Sequence, residues 1–138
     1  MGPLAGLTIL DLTTVLMGPY ATQILADMGA NVIKLESPEG DIVRQIGPGR
    51  TPGMVRNVSQ RQSRQAQSYA IDLKHPDGHD ALLRLAAKAD AIIYNVVLRR
   101  WPRLGLDYET LFRVNPRIVY VGVFGYGQTG PYASEAGL

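Results

Sequence analysis

Apolar positions along the chain fall into short runs separated by glycine, proline and polar turns, and the runs alternate between a strand-like and a helix-like period. Leu7-Thr8-Ile9-Leu10-Asp11-Leu12 is a compact, partly alternating run of the kind found in a strand buried on at least one face. Gly18-Pro19 then opens a helix, where proline suits the first turn because its missing N–H would be unpaired there anyway. Ala21, Ile24, Leu25 and Met28 fall at i, i+3, i+4 and i+7, one apolar helix face, and Gly29 stands at the expected stop. Asn31 to Glu36 reads as a second strand, closed by Ser37-Pro38. Strand, helix and strand within about 30 residues make a βαβ unit, whose crossover is expected to be right-handed.

Residues 39–67 break this rhythm with Gly40-Asp41, Gly47-Pro48-Gly49, Thr51-Pro52-Gly53 and a Gln/Ser/Arg-rich stretch. A loop of that length is usually functional or disordered, or packs on something else. Regularity returns with a strand over 68–73 and a helix after His75-Pro76-Asp77-Gly78 that carries Leu82, Leu85, Ala86 and Ala89 on one face. Asp77 and Asp80 in its first turn and Lys88 in its last suit the helix dipole. A central buried strand over 91–96, a short helix over 108–114 stopped by Asn115-Pro116, and a last strand over 118–123 complete the pattern. Alternating strands and helices predict one α/β domain with a largely parallel sheet and helices on both faces. Ligands bind such sheets at the carboxyl ends of the strands, so the informative turns follow Leu12, Glu36, Leu73, Val96 and Val123.

Composition narrows the setting. At 138 residues, 46% hydrophobic and 19% charged, the chain has room for one ordinary core. It holds no apolar run long enough for a membrane span, and residues 1–17 lack the basic start of a signal peptide. With no cysteine, disulfides, thiolate metal sites and cysteine nucleophiles are excluded, and a cytoplasmic location is the default expectation. The net charge is +2, but Arg44, Arg50, Arg56, Arg61 and Arg64 follow one another with no acid between them. That run is either a solvated loop or a partner for phosphate oxygens. Nucleic-acid binding is not expected, since aromatics are sparse there and no reading module is present.

Several motifs invite sharper readings. Gly125-Tyr126-Gly127-Gln128-Thr129-Gly130 spells G-x-G-x-x-G, but it follows the last strand rather than the first and runs into Pro131-Tyr132. A glycine-rich turn shaping a pocket is the better expectation than a dinucleotide fingerprint. His75 and His79 have the i, i+4 spacing of metal ligands, yet His75 precedes Pro76 and no third ligand suggests itself, so a polar helix start is expected and no metal. Asp11, Glu36 and Asp72 lie on or at the ends of strands, where a carboxylate needs backbone N–H groups or a lysine such as Lys34 or Lys74. Lys74, at a strand's carboxyl end ahead of a helix start, is either a surface lysine or a cation for phosphate or carboxylate.

Taken together these segments resemble the class III CoA-transferases of the CaiB/BaiF type, a family that includes formyl-CoA and carnitine CoA-transferases and α-methylacyl-CoA racemases. The resemblance is carried by Gly2-Pro3-Leu4-Ala5-Gly6-Leu7 through Asp11-Leu12, by Gly18-Pro19-Tyr20-Ala21-Thr22-Gln23, by Ala26-Asp27-Met28-Gly29-Ala30, and by Val32-Ile33-Lys34-Leu35-Glu36-Ser37-Pro38 with Gly40-Asp41. It continues through Ile71-Asp72-Leu73-Lys74, Pro76-Asp77-Gly78, Arg103-Leu104-Gly105-Leu106, Tyr108-Glu109, Val114-Asn115-Pro116-Arg117 and the glycine-rich run to Tyr132.

The resemblance implies a Rossmann-like large domain, here its N-terminal segment over 1–138, and in complete members an interlocked homodimer. It implies CoA transfer between an acyl-CoA and a small carboxylic acid, through an anhydride and a thioester at one aspartate. Coenzyme A is then a substrate, with no permanently bound cofactor. Family contacts to CoA map onto Leu16 and Met17, onto Asp72, Leu73 and Lys74, onto Asn95, Val96 and Val97, and onto Arg103. The chain departs from the family where Ser63-Arg64-Gln65-Ala66-Gln67 lacks a lysine and where Tyr94-Asn95-Val96-Val97-Leu98-Arg99 lacks a proline–glycine bend. Both departures bear on CoA affinity, because that turn's backbone approaches the ligand. No aspartate of this chain stands at the family's nucleophile position, so the segment is expected to be inactive alone and to need a missing C-terminal portion. The alternatives are a non-enzymatic CoA- or nucleotide-binding module and a fragment of an acyl-CoA racemase.

Overall fold

Thr8–Leu12 forms β1, the middle strand of a parallel sheet whose other members come from far along the chain. The computed structural model describes residues 2–45, 49–51, 54–55, 66–95, 104–133 and 135. In chain order β1 is followed by helix α1 (Met17–Asp27), β2 (Asn31–Glu36), a 3-10 turn at Ile42–Gln45, and a small antiparallel pair, β3 (Gly49–Thr51) and β4 (Met54–Val55). Then come β5 (Ala66–Ala70), α2 (Pro76–Ala86), β6 (Ala91–Tyr94), α3 (Tyr108–Val114) and β7 (Val119–Gly122). The main sheet runs β5-β2-β1-β6-β7, with every neighbouring pair parallel. This is the α/β architecture that the alternating runs predict.

Register follows from the period of two. Leu10 lies opposite Ile33 on one side and Ile92 on the other. Leu10 and Ile92 point to one face and join Leu82, Ala86, Leu106 and Leu111 from the α2 and α3 side. Ile9, Val32 and Ile93 point the other way and meet Ala26 of α1. Both faces of β1 are buried, as in central parallel strands, and Ile9, Leu10 and Leu12 fill them beside the buried Asp11.

Of the apolar stripe expected on α1, Leu25 packs against the sheet-facing cluster and the rest does not. Gly18, Pro19, Thr22 and Ala26 are its buried residues, while Ala21, Ile24 and Met28 are exposed. Small residues let the helix approach closely: a methyl group at Gly18 would collide with the Thr13 side chain. The third main-sheet strand is also displaced from its expected span, ending at Ala70 rather than Leu73. Ile71 still donates to the Glu36 carbonyl, but the Asp72 carboxylate then accepts from the Lys74 N–H at 2.9 Å and turns the chain. β6 covers Ala91–Tyr94; Asn95 follows it with its side chain bonded to Thr14, and Val96 of the expected span lies outside the described residues.

The helix ends follow their capping chemistry. His75 caps α2 by accepting from the Asp77 N–H, and the basic residue of the last turn is Arg84, with Lys88 beyond the helix end. Asp107 caps α3 by accepting from the Thr110 N–H at 2.9 Å. Within 39–67 the described residues contain the 3-10 turn and the β3–β4 pair, so that stretch has local structure of its own. Among the described residues no helix is long and apolar enough to cross a membrane.

Candidate functional site

Successive strands β1, β2 and β5 build the sheet in one direction, whereas β6 and β7 build it in the other. The reversal falls between β1 and β6, where open α/β sheets leave a crevice at the carboxyl ends. One side chain bridges it. Asn95 after β6 accepts from the Thr14 N–H at 2.8 Å and donates to the Thr14 carbonyl at 2.9 Å. Next to this bridge, over the carboxyl ends of β1, β2 and β5, lies a cleft of about 530 Å³. Leu12 and Thr14, the stretch from Leu35 to Asp41, the stretch from Ile71 to Lys74, and Leu104 form its walls.

Beneath the floor the charges are compensated. Asp11, 1% exposed, accepts from the Thr13 N–H at 2.8 Å and from the hydroxyls of Thr13 and Thr22 at 2.5 and 2.6 Å. Lys34 donates to the Thr13 carbonyl at 2.6 Å and stands 3.8 Å from the Asp11 carboxylate. Glu36 accepts from the Asp41 N–H at 2.9 Å and the Ser68 hydroxyl at 2.6 Å. A buried carboxylate is tolerable under such conditions and costly otherwise. The pairing expected for Asp11 with Lys34 is present, and Asp72 finds the Lys74 N–H.

At the rim Glu39 and Asp72 share the space with the exposed Lys74. The Glu39 carboxyl is held below its ordinary value first by its own backbone N–H, then by the Ser37 hydroxyl, with the Lys74 cation adding to the effect. The cleft therefore presents an apolar interior with one lysine and several carboxylates at its mouth. Such a surface suits a ligand with a flat apolar portion, hydrogen-bond donors for the carboxylates, and an anionic group for Lys74.

Of the residues expected from sequence, Asp72, Leu73 and Lys74 line the cleft. Asn95 stands beside it through Thr14. Leu16 and Met17 are exposed at the start of α1, two and three residues beyond Thr14, and are not among the lining residues. Val96, Val97 and Arg103 lie outside the described residues. Thr14 and Glu39 were not singled out as residues by sequence reasoning, although they lie in the turns after Leu12 and Glu36 that the strand-end rule marks. Asp41 entered that reasoning through Gly40-Asp41, as part of the loop over 39–67 and of the resemblance, with no role attached. The His75 and His79 rings diverge: His75 caps α2, while His79 Nε2 lies 3.5 Å from the Gly105 carbonyl. The G-x-G-x-x-G run follows edge strand β7, across the sheet from the cleft, and there Tyr126 stacks on Tyr132 with ring centroids 5.6 Å apart.

Fold and cleft together are those of a parallel α/β domain with an open cleft at the carboxyl ends of β1, β2 and β5. The chain belongs to CoA-transferase family III, whose model matches residues 4–138. It is 43% identical to the succinate–glutarate CoA-transferase of Agrobacterium fabrum, the match covering 98% of this chain and 35% of that protein. It is 42% identical to the human succinyl-CoA:glutarate CoA-transferase, over 98% of this chain and 31% of that protein. The crystal structure of a CAIB/BAIF family protein from Brucella suis superposes with a TM-score of 0.86 at 39% identity, covering 99% of this chain and 37% of that one. The chain thus spans about a third of the length of these relatives.

Proposed function

We propose that the cleft binds coenzyme A or an acyl-CoA, and that this chain supplies the CoA-holding part of an enzyme moving CoA between an acyl-CoA and a small carboxylic acid. The observation that carries this reading is the position of Asp72-Leu73-Lys74: the turn assigned to CoA by family resemblance lines the cleft at the sheet's carboxyl ends. Lys74 is the group for a phosphate or pyrophosphate oxygen. Asp72 and Glu39 are acceptors for ribose hydroxyls or the adenine amine, and Leu12, Leu35, Ile71 and Leu104 cover the base. By the family resemblance Leu16, Met17, Asn95, Val96, Val97 and Arg103 are assigned as further contacts to the same ligand.

The covalent step is assigned to a residue outside this chain. Asp11 and Asp41 are buried and fully occupied as hydrogen-bond acceptors, which makes them poor nucleophiles. In this reading the chain binds CoA but does not turn over alone, and it works with further polypeptide or a second copy in an interlocked dimer.

Calorimetric titration of the chain with CoA tests the reading. Saturable heat is expected, and Lys74→Ala should weaken binding about tenfold, the loss of one charge-assisted hydrogen bond. No saturable heat in the unaltered chain would overturn CoA binding. Multiple turnover by the chain alone, with succinyl-CoA and glutarate, would overturn the division of labour.

A further inference from the structure

We infer that Asp41 is a positioning residue: its carboxylate locks the turn between β1 and α1 in a left-handed backbone conformation and so fixes one wall of the cleft before any ligand arrives. Val15 has φ of 71°, and among the described residues no other non-glycine residue has a positive φ. A β-branched residue is poorly suited to that region, so the conformation persists only if its surroundings impose it. They do so from two sides. Thr14 is gripped through both its N–H and its carbonyl by the Asn95 side chain. The Val15 N–H then points between the two Asp41 oxygens, at 3.3 and 3.2 Å.

Asp41 can impose this geometry because it is itself immobilised. It is 2% exposed, its N–H donates to Glu36, and its Oδ1 also accepts from the Val43 N–H at 3.1 Å. Glu36 in turn accepts from Ser68 of β5. A hydrogen-bonded relay therefore runs from β5 through β2 to the turn after β1, just under the cleft that Thr14 and Asp41 both line. A carboxylate capping the 3-10 turn at Ile42–Gln45 needs only the bond to Val43. The contact to Val15 lies outside that role, across 26 positions of sequence. An asparagine has a single acceptor oxygen and would turn an N–H₂ group toward one of these donors.

This inference builds on the CoA reading of the cleft, and its test separates the two. Asp41→Asn is made in the unaltered chain and in a Val15→Gly chain, since glycine adopts positive φ without help. CoA affinity is read by calorimetry, and exchange of the Val15 amide by NMR in ligand-free protein. The Val15 amide should exchange slowly in the unaltered chain and at least tenfold faster in Asp41→Asn. CoA binding should weaken at least tenfold in Asp41→Asn, but no more than threefold when the same change is made in the Val15→Gly chain. Equal weakening in both backgrounds, or a Val15 amide that is unprotected in the unaltered chain, overturns the positioning role. Absence of CoA binding by the unaltered chain overturns the proposed function instead, and the amide exchange then decides the role of Asp41 alone. If Asp41→Asn fails to fold, recovery of folding in the double variant supports the inference, and an unprotected Val15 amide in the unaltered chain still overturns it.

Discussion

Asp11 and Lys34 form a buried pair whose members also bond to Thr13 and Thr22, so neither is left with its charge unanswered. Removing one member strands the other in a low-dielectric setting. Asp11→Ala is therefore expected to cost about 3–5 kcal/mol, measured as the loss of unfolding free energy in urea. Asp107 is the opposite case, a partly exposed cap. Its carboxyl is held below its ordinary value first by the Thr110 N–H it accepts from. A lowered folded pKa means that the stabilisation is complete above the unfolded value and is lost as pH falls through the folded one. At neutral pH Asp107→Ala should destabilise the protein by about 1 kcal/mol. As pH falls through the lowered folded value the gap between the two proteins should narrow, and a gap that stays constant there would show that the carboxylate is not what stabilises α3.

Elements with their own punctuation were readable from sequence alone. β2 occupies Asn31–Glu36 and α3 occupies Tyr108–Val114, as the patterns predict, because Ser37-Pro38 and Asn115-Pro116 end them locally. Elements placed by tertiary contact were not. The α1 stripe of Ile24 and Met28 resembles a core face, but close approach to the sheet selects small residues instead. β5 begins at Ala66 in a stretch whose Gln67 and Ser68 look polar, because parallel pairing with β2 outweighs composition. The cleft was legible in part: Asp72 to Lys74 stand out at a strand end, whereas the bond from Val15 to Asp41 joins distant segments and leaves no local trace. Gly78 belongs to the same scale. A methyl group there would collide with the Asp72 carbonyl oxygen, so the first turn of α2 can seat against the cleft turn only with glycine. Gly78→Ala should cost about 1–3 kcal/mol by thermal unfolding and weaken CoA binding in parallel. Unchanged affinity would mean that α2 and the turn move independently.

Over the whole molecule the apolar surface is unevenly distributed. Met17, 76% exposed, continues into Tyr20, Ile24 and Met28 along the outer side of α1, while Val119 of edge strand β7 is 58% exposed. Contiguous apolar faces of this kind promote association. Sedimentation velocity should therefore show concentration-dependent oligomers, and Ile24→Lys should shift the distribution toward monomer. A monomeric profile at all concentrations would remove α1 as a contact. β1 sits at the centre of the sheet although it is synthesised before every other strand of it. Its β2 edge can pair once Glu36 has emerged from a ribosome, but the edge bonded to β6 waits for Ala91–Tyr94. At roughly 5–20 residues per second that delay is on the order of ten seconds. Throughout it, the backbone donors and acceptors meant for β6 stand open to any extended neighbour, which makes the nascent chain on a crowded polysome more prone to mispairing than the finished sheet.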